Sequence, residues 1–447
     1  MKGRLSLKER ISYGCGDFGL CLITTMVSTY MMYFYTNIVQ IPVLQVGTIT
    51  LIGGVVDAIS DLLMGMLIDK TKTKLGKCRP YILAMAIPLA VIVFFAFSVP
   101  DASAQVKYIY ALVTYLLYVC AYTAVCIPYQ TLMSSITDRQ DDRLSVNMWK
   151  TIGSSTGQFI ISAFALTLVA VFGDGQQGFK TAAAIFGAAG AVLLLTCFKN
   201  TKERVTPPAG EKVELKDTLR SFQNLPWFLV CCTAFLALTA VVLRAQQTMF
   251  FAQYVMGDLG ISSNLLTIST IVAIPVALVV PKLALKFGKR NLIIFGGIVY
   301  VLASVGMYAA RESSMAVYLF AVLCGIGGSM PNSVCYVMTA EAIDYGEWKH
   351  GKRVQGALMS FIGFSVKVGG SIGSMIASMV LSAGGFVEGA ETQSAAALQA
   401  VTINYIWLPV IMYIIIIILM LFYKLDKEYP AIREELEKRR QARTAEA

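Results

Sequence analysis

Residues 55–65 read VVDAISDLLMG, two aspartates four positions apart inside an apolar run. That spacing puts Asp57 and Asp61 on one face of a helix. The surrounding run, 46–68, is long enough to cross a bilayer, which leaves Asp57 about 16 Å from either end. A carboxylate at that depth is costly, and two on one face also repel each other. A small cation resolves the conflict, because two carboxylates with a neighbouring hydroxyl supply the hard oxygen ligands that alkali ions prefer. Ser60 is the adjacent hydroxyl, although on an ideal helix it points about 100° from Asp61. A single proton shared by the pair serves equally well.

The rest of the chain has the same character. Of 447 residues, 56% are hydrophobic and 14% charged, against about 25% charged in an ordinary soluble domain. Twelve segments are long and apolar enough to span a membrane, near 11–38, 46–68, 80–99, 107–130, 149–172, 178–198, 225–254, 261–286, 291–309, 315–339, 357–382 and 402–423. The fold class is therefore an all-α polytopic membrane protein. Any site must lie inside the helix bundle or in its short loops.

The net charge of +10 is not a nucleic-acid footprint. Of the 37 Lys and Arg, 31 fall in the N-terminal tail, the even-numbered connections and the C-terminal tail. This asymmetry places both termini in the cytoplasm and attracts anionic lipid. The start MKGRLSLKER leads into a first span too long for a cleavable signal. The ten cysteines show no metal-type spacing and read as reduced packing residues. His350, the single histidine, falls in a loop on the cytoplasmic side.

A polar interruption at 200–224, carrying a proline pair and mixed charges, divides the chain. The expected organisation is a six-helix bundle over 1–199, a cytoplasmic linker over 200–224, a second six-helix bundle over 225–423 and a cytoplasmic tail over 424–447. Each half has a basic hairpin after its second span, DKTKTKLGKCRP (69–80) and KFGKRN (286–291). The fourth-to-fifth connections, TDRQDDR and EAIDYGEWKHGKR, are also alike in mixing acid and base. A parallel 6+6 repeat is the pattern of the major facilitator fold. The glycines of GSSTG (153–157) and GGSIGSM (369–375) read as close helix packing.

Once the charges of the loops and tails, and those near the ends of spans, are set aside, six charged residues remain within the spans: Asp17, Asp57, Asp61, Lys150, Arg244 and Lys367. Such groups normally face a bundle interior and mark ion or substrate pathways. The plainer readings are structural pairing, such as Asp57 with Lys367, and snorkelling of Arg244 to an interface.

Five stretches carry a family resemblance: ISYGCGDFG (11–19), MYFYTN (32–37), DAISDLLMGMLIDKTKTKLGKCRPY (57–81), IPYQTLMSSIT (127–137) and IDYGEWKHGKR (343–353). In order and spacing they resemble the glycoside–pentoside–hexuronide:cation symporters, the melibiose permease-like branch of the major facilitator superfamily. The resemblance implies sugar uptake coupled to Na⁺, H⁺ or Li⁺ by alternating access, in a bacterial inner membrane. The chain is expected to work as a monomer, with Na⁺ or H⁺ as coupling ion and no cofactor. The family's D-A-x-x-D cation pattern matches Asp57 and Asp61. A fourth-span threonine of that site matches Thr123 in AYTAVCIPY. The family's intervening asparagine is Ser60 here. An eleventh-span lysine that links the cation site to the opposite half matches Lys367 in VKVGG, and a fifth-span arginine corresponds to Lys150.

The departures bear on the substrate. Two aspartates that hold galactosyl hydroxyls in the family's galactoside carrier are Cys21 and Cys126 here, and a sugar-stacking Trp is Gln130. Thiols cannot give the bidentate, charge-assisted acceptors that carboxylates offer. Tyr122 matches a tyrosine of that site and can pack on a ring face. Candidate substrate residues are thus Cys21, Tyr122, Cys126, Gln130, Lys150, Arg244 and Asp17. Losing two negatives while keeping these positives favours an anionic glycoside, a hexuronide or a sulfonated sugar, over a neutral disaccharide. Asp69, Lys77, Arg79, Asp344, Glu347 and Arg353 are expected to form a charge-paired cytoplasmic gate. The competing classes are an uncoupled facilitator of the same fold and a membrane enzyme. No nucleophile or metal constellation in the spans supports the enzyme.

Overall fold

Hydropathy marks where a helix crosses a membrane, not where it stops, and the helices run beyond the apolar cores. The computed structural model describes residues 5–137, 139–204, 224–350 and 355–446. Among them twelve helices are long and apolar enough to span a bilayer. They are α1 (Leu7–Ile38), α2 (Val43–Lys70), α3 (Arg79–Ala96), α4 (Ala104–Ile136), α5 (Gln140–Val171), α6 (Gly175–Asn200) and α7 (Leu225–Val255). After these come α8 (Gly260–Phe287), α9 (Lys289–Ala309), α10 (Ser314–His350), α11 (Gln355–Ala383) and α12 (Ala395–Leu421). A charged helix, α13 (Leu425–Glu446), follows. Every expected span coincides with one of these helices. The polar ends that the hydropathy windows cut off at 130, 149 and 339 continue as helix to Ile136, from Gln140 and to His350.

The chain forms two compact units. The first comprises Met1–Ala209, Ala245–Thr270 and Ser374–Thr402; the second comprises Gly210–Arg244, Ile271–Gly373 and Ile403–Ala447. The first six helices thus cluster with the terminal stretches of α7 and α11, the start of α8 and the connection into α12.

In the first unit α1 is the central helix, packed on α5 and α6. Glycine makes this possible. A Cβ on Gly153 would collide with the Gly14 carbonyl oxygen, and one on Gly157 would lie 3.0 Å from the Phe18 carbonyl oxygen. In the second unit, Gly369 and Gly373 of α11 lie against Thr239 of α7, 2.5 and 2.8 Å from where a Cβ would sit. Both small-residue stretches are therefore packing surfaces.

The two basic hairpins close on the same device. In the first unit Glu203, just past α6, accepts the backbone N–H groups of Lys77, Cys78 and Arg79 at 2.8, 2.8 and 3.0 Å. The carboxylate thus caps the start of α3, where orphan donors and the helix dipole favour an anion. Arg79 returns the favour by donating to the Phe198 carbonyl at the end of α6 at 2.8 Å. In the second unit Asp426, just past α12, accepts the Arg290 N–H at the start of α9 at 2.7 Å. Arg290 in turn donates to the Met420 and Leu421 carbonyls at the end of α12, at 2.8 and 2.9 Å. Each turn needs a left-handed residue, Gly76 at φ +110° and Gly288 at φ +84°. The match between hairpins seen in the sequence is thus a repeated capping geometry.

The helices α1 and α7 match as well. Each ends in one turn of π-helix, 34–38 and 251–255. Val39 and Ile41 donate to the Phe34 and Tyr35 carbonyls, and Met256 and Asp258 to those of Phe251 and Ala252.

Candidate functional site

The pair that raises the question of charge burial sits on α2 and faces α4. Thr123, 1% exposed, lies between the two carboxylates, its Oγ1 2.9 Å from Asp57 Oδ1 and 3.2 Å from Asp61 Oδ1. Ser60 Oγ is 3.1 Å from the same Thr123 oxygen and 3.0 Å from the Asp57 carbonyl. The 100° offset of Ser60 on the helix therefore does not exclude it, because Thr123 stands within reach of all three side chains. The aspartates and Ser60 are half-buried. One turn earlier, the ring of Tyr115 fills the space a side chain at Gly53 would need, which lets α4 approach α2.

Proton counting defines what this cluster can do. Thr123 has one hydroxyl proton and two carboxylates to serve, and Ser60 has one proton for two acceptors. Two carboxylates and two hydroxyls converge there. Such a set can hold a small hard cation or one added proton. Among the described residues no group of three or more His, Cys, Asp and Glu side chains is placed to hold a metal ion.

A second polar cluster joins α1, α4 and α5. Cys21 Sγ and Ser154 Oγ are 3.2 Å apart, and the Gln130 amide nitrogen donates to Cys126 Sγ at 3.2 Å. Asp17 lies within electrostatic reach of Lys150 and Ser154, and Cys21 within reach of Asp17, Cys126 and Lys150. Tyr122 stacks on Tyr118, ring centroids 6.1 Å apart. Asp17, Cys21, Tyr122 and Lys150 are half-buried and Gln130 is exposed. The structure thus brings together Asp17, Cys21, Tyr122, Cys126, Gln130 and Lys150. It adds Ser154, which spacing alone did not single out.

The remaining positives belong to the second unit. Arg244 does not snorkel: its guanidinium donates to the Tyr300 hydroxyl at 3.1 Å and lies 4.8 Å from the Tyr405 ring centroid. Those tyrosines are 4% and 2% exposed. Lys367 is half-buried on α11, two residues before the glycine stretch that packs on α7.

Of the expected gate residues, Asp69 is exposed at the end of α2, and Lys77 and Arg79 belong to the cap built by Glu203. Asp344 accepts the Tyr429 hydroxyl of α13 at 2.8 Å, and Glu347 is half-buried on α10. Arg353 lies outside the described residues. Sequence reasoning missed the acids that anchor these ends. Glu9 pairs with Arg204 at 2.6 Å, raising the arginine's pKa, and Asp142 pairs with Arg10 at 2.8 Å. For the two caps the signal was present as acids three residues beyond α6 and five beyond α12, at the positions of Glu203 and Asp426.

The sequence profile of the family described as MFS/sugar transport protein matches residues 12–427, and the chain belongs to that family. It is a multi-pass membrane transporter, not an enzyme. Among curated relatives, an isoprimeverose transporter of Lactiplantibacillus pentosus is 36% identical, covering 98% of this chain and 93% of its own length. A glucuronide carrier protein homolog of Escherichia coli strain K12 is 26% identical over 98% of this chain and 97% of its own. Among solved structures, a mutant of the nucleoside transporter NupG superposes with TM-score 0.67 at 14% identity, over 93% of this chain and 100% of that one. That likeness concerns the fold alone, which is the major facilitator fold.

Proposed function

We propose that the protein imports a glycoside by symport with Na⁺ or H⁺, and that the sugar is anionic. The observation that supports the coupling is the convergence of Asp57, Asp61 and Ser60 on the buried Thr123 hydroxyl, on a helix run that places Asp57 near the depth of a membrane midplane. Binding one cation there removes the repulsion between the carboxylates, so the ion-loaded site and the empty site differ in the charge they leave in the membrane. Coupling follows when a solute binds more tightly to the ion-loaded state, and linkage makes the effect reciprocal. Lys367 is the candidate that relays this to the other half. The 6+6 bundle division, cytoplasmic termini, a monomeric working unit in contact with membrane lipid, and gating by Asp69, Lys77, Arg79, Asp344, Glu347 and Arg353 complete the proposal.

The anionic substrate rests on the second cluster. Lys150 is retained there while two of its neighbours are thiols, leaving Asp17 as the one carboxylate named in it. Arg244, cradled by aromatic rings, is a second candidate for a sugar carboxylate or sulfonate. The relative named as a glucuronide carrier homolog fits this reading. The relative named for isoprimeverose, an uncharged sugar, supports the alternative that a neutral pentosyl glycoside is carried.

Uptake of labelled methyl β-D-glucuronide and of isoprimeverose into proteoliposomes, under imposed Na⁺ or H⁺ gradients, decides between them. Gradient-driven accumulation of the glucuronide, lost in Lys150→Gln, is the expected result. Accumulation of isoprimeverose alone would overturn the anionic assignment, and equilibration without accumulation would overturn symport.

A further inference from the structure

A ladder of polar side chains in the first unit takes no part in the clusters above. It lies where the end of α1 meets the end of α7. Gln247 Nε2 donates to Met32 Sδ at 3.4 Å. The Tyr33 hydroxyl donates to Gln253 Oε1 at 2.5 Å. Asn37 Nδ2 donates to Gln253 Oε1 at 3.2 Å and to the Tyr254 hydroxyl at 2.9 Å. Aromatic edges close it from the side: Phe250 against Tyr33 at 5.5 Å, and Phe386 against Phe250 and Tyr254 at 5.6 and 5.4 Å.

Two features of this ladder bear on its role. Gln247 is 0% exposed and Asn37 8%. Among the described residues, neither Gln247 Oε1 nor Asn37 Oδ1 has a hydrogen-bond partner. A buried carbonyl left unsatisfied forfeits its hydration with nothing in return, where methionine or leucine would fill the same volume without loss. Places where a fold breaks that rule are where function is to be sought.

We infer that the ladder is a second sugar subsite, for the uncharged hydroxyl-bearing part of the glycoside, folded upon itself in this conformation. A carboxamide offers a donor and an acceptor in one plane, which is what a pair of neighbouring sugar hydroxyls requires. Aromatic rings supply apolar faces for the sugar's C–H surface. The ladder residues Asn37, Gln247, Gln253, Tyr33 and Tyr254 carry no charge. The nearby carboxylate of Glu388 is engaged by the Val43 N–H at the start of α2, at 2.8 Å. The subsite is therefore suited to a glycosyl ring and indifferent to an acidic group, which leaves the charge to Lys150.

The two halves of the ladder are equivalent segments of the repeat, MYFYTN (32–37) and MFFAQY (249–254), each carrying a π-turn. π-turns aim side chains that a regular helix would not and recur at functional sites. When α1 and α7 separate, Tyr33, Asn37, Gln253 and Tyr254 lose one another as partners, and a sugar entering from that side replaces them. The inference rests on the proposed sugar import and on the orientation that puts this end outside.

The test is kinetic and directional. In proteoliposomes, Gln247→Met is expected to raise the half-saturating external sugar about three- to tenfold, as one lost hydrogen bond implies. Half-saturation for efflux from the inside stays unchanged. Methyl β-D-glucuronide and isoprimeverose are the probes. A ladder that served only as a latch would behave oppositely, because loosening it populates the outward state and tightens external binding. An external half-saturation that falls, or stays within twofold of wild type, overturns the subsite. Gln247→Cys gives an independent reading, labelled by a membrane-impermeant maleimide and quantified at that residue by mass spectrometry. Either sugar is expected to slow the labelling, and equal rates with and without sugar contradict the proposal. Wild-type protein that carries neither probe would contradict the transport reading instead.

Discussion

Removing the hydroxyl of Thr123 isolates the cation site from everything around it. Thr123→Val keeps the shape of the side chain, and at 1% exposure water cannot take the lost oxygen's place. What disappears is the oxygen that stands 2.9 and 3.2 Å from the two carboxylates and 3.1 Å from Ser60. A hydrogen bond to a charged group is worth about 1.5–3 kcal/mol, and each 1.4 kcal/mol is about tenfold in affinity. The effect then depends on the coupling ion. If the ion is Na⁺, Thr123 is a ligand, and the half-saturating Na⁺ concentration rises roughly ten- to hundredfold. If the ion is H⁺, Thr123 is not a ligand of the ion, and its loss shows instead as a displaced pH profile of uptake with no Na⁺ dependence. The assay is initial uptake at saturating sugar, as a function of external Na⁺ and of pH. Thr123→Ser should restore wild-type behaviour in either case. Half-saturation for both ions within twofold of wild type would refute the assignment of Thr123 to the site.

The reciprocal caps make a second prediction: Glu203→Ala and Asp426→Ala each strip the acceptor from the start of a helix. Each is expected to cost about 1.5–3 kcal/mol and to lower the thermal midpoint in detergent by about 3–6 °C; unchanged midpoints would show that these caps do not stabilise the fold. Gly153→Val forces a side chain onto the Gly14 carbonyl, so folded protein should be lost, and full expression with normal uptake would contradict that packing. Burial, reinforced by Glu203, pushes the Cys78 thiol up to about 12, leaving it protonated at neutral pH. Alkylation of Cys78 at pH 7.4 should therefore be slow and should speed up in Glu203→Ala; fast alkylation of the intact protein would mean the cap is open.

The twelve spans were legible because a membrane imposes one requirement, length in apolar residues, that composition alone reveals. The ends were not, since α5 begins at Gln140 among charges that a hydropathy window rejects although the backbone continues as helix. Asp57 and Asp61 declared themselves through cost, being carboxylates where nothing polar is expected. Thr123 did not, because a threonine in an apolar helix is unremarkable until α4 is known to face α2; the family resemblance supplied it. Ser60 was assigned on neighbourhood and discounted on its angle, and only the position of Thr123 resolved the conflict. Glu203 and Asp426 were hidden by their context, as acids in polar connections look like solvated charges until the backbone donors they cap come into view. Gln247 and Gln253 were missed although AQQTMFFAQY is unusually rich in amides for the end of a span. Aligning it with STYMMYFYTN from the first half would have exposed both.

The coupling itself is tested most directly by separating accumulation from exchange in Asp57→Asn. Wild-type protein in proteoliposomes should concentrate the sugar under an imposed cation gradient and should also exchange labelled for unlabelled sugar at equilibrium. In Asp57→Asn the gradient should no longer drive accumulation, while sugar exchange persists at a measurable rate. Gradient-driven accumulation that survives the substitution would mean the paired carboxylates are structural and that the ion is held elsewhere.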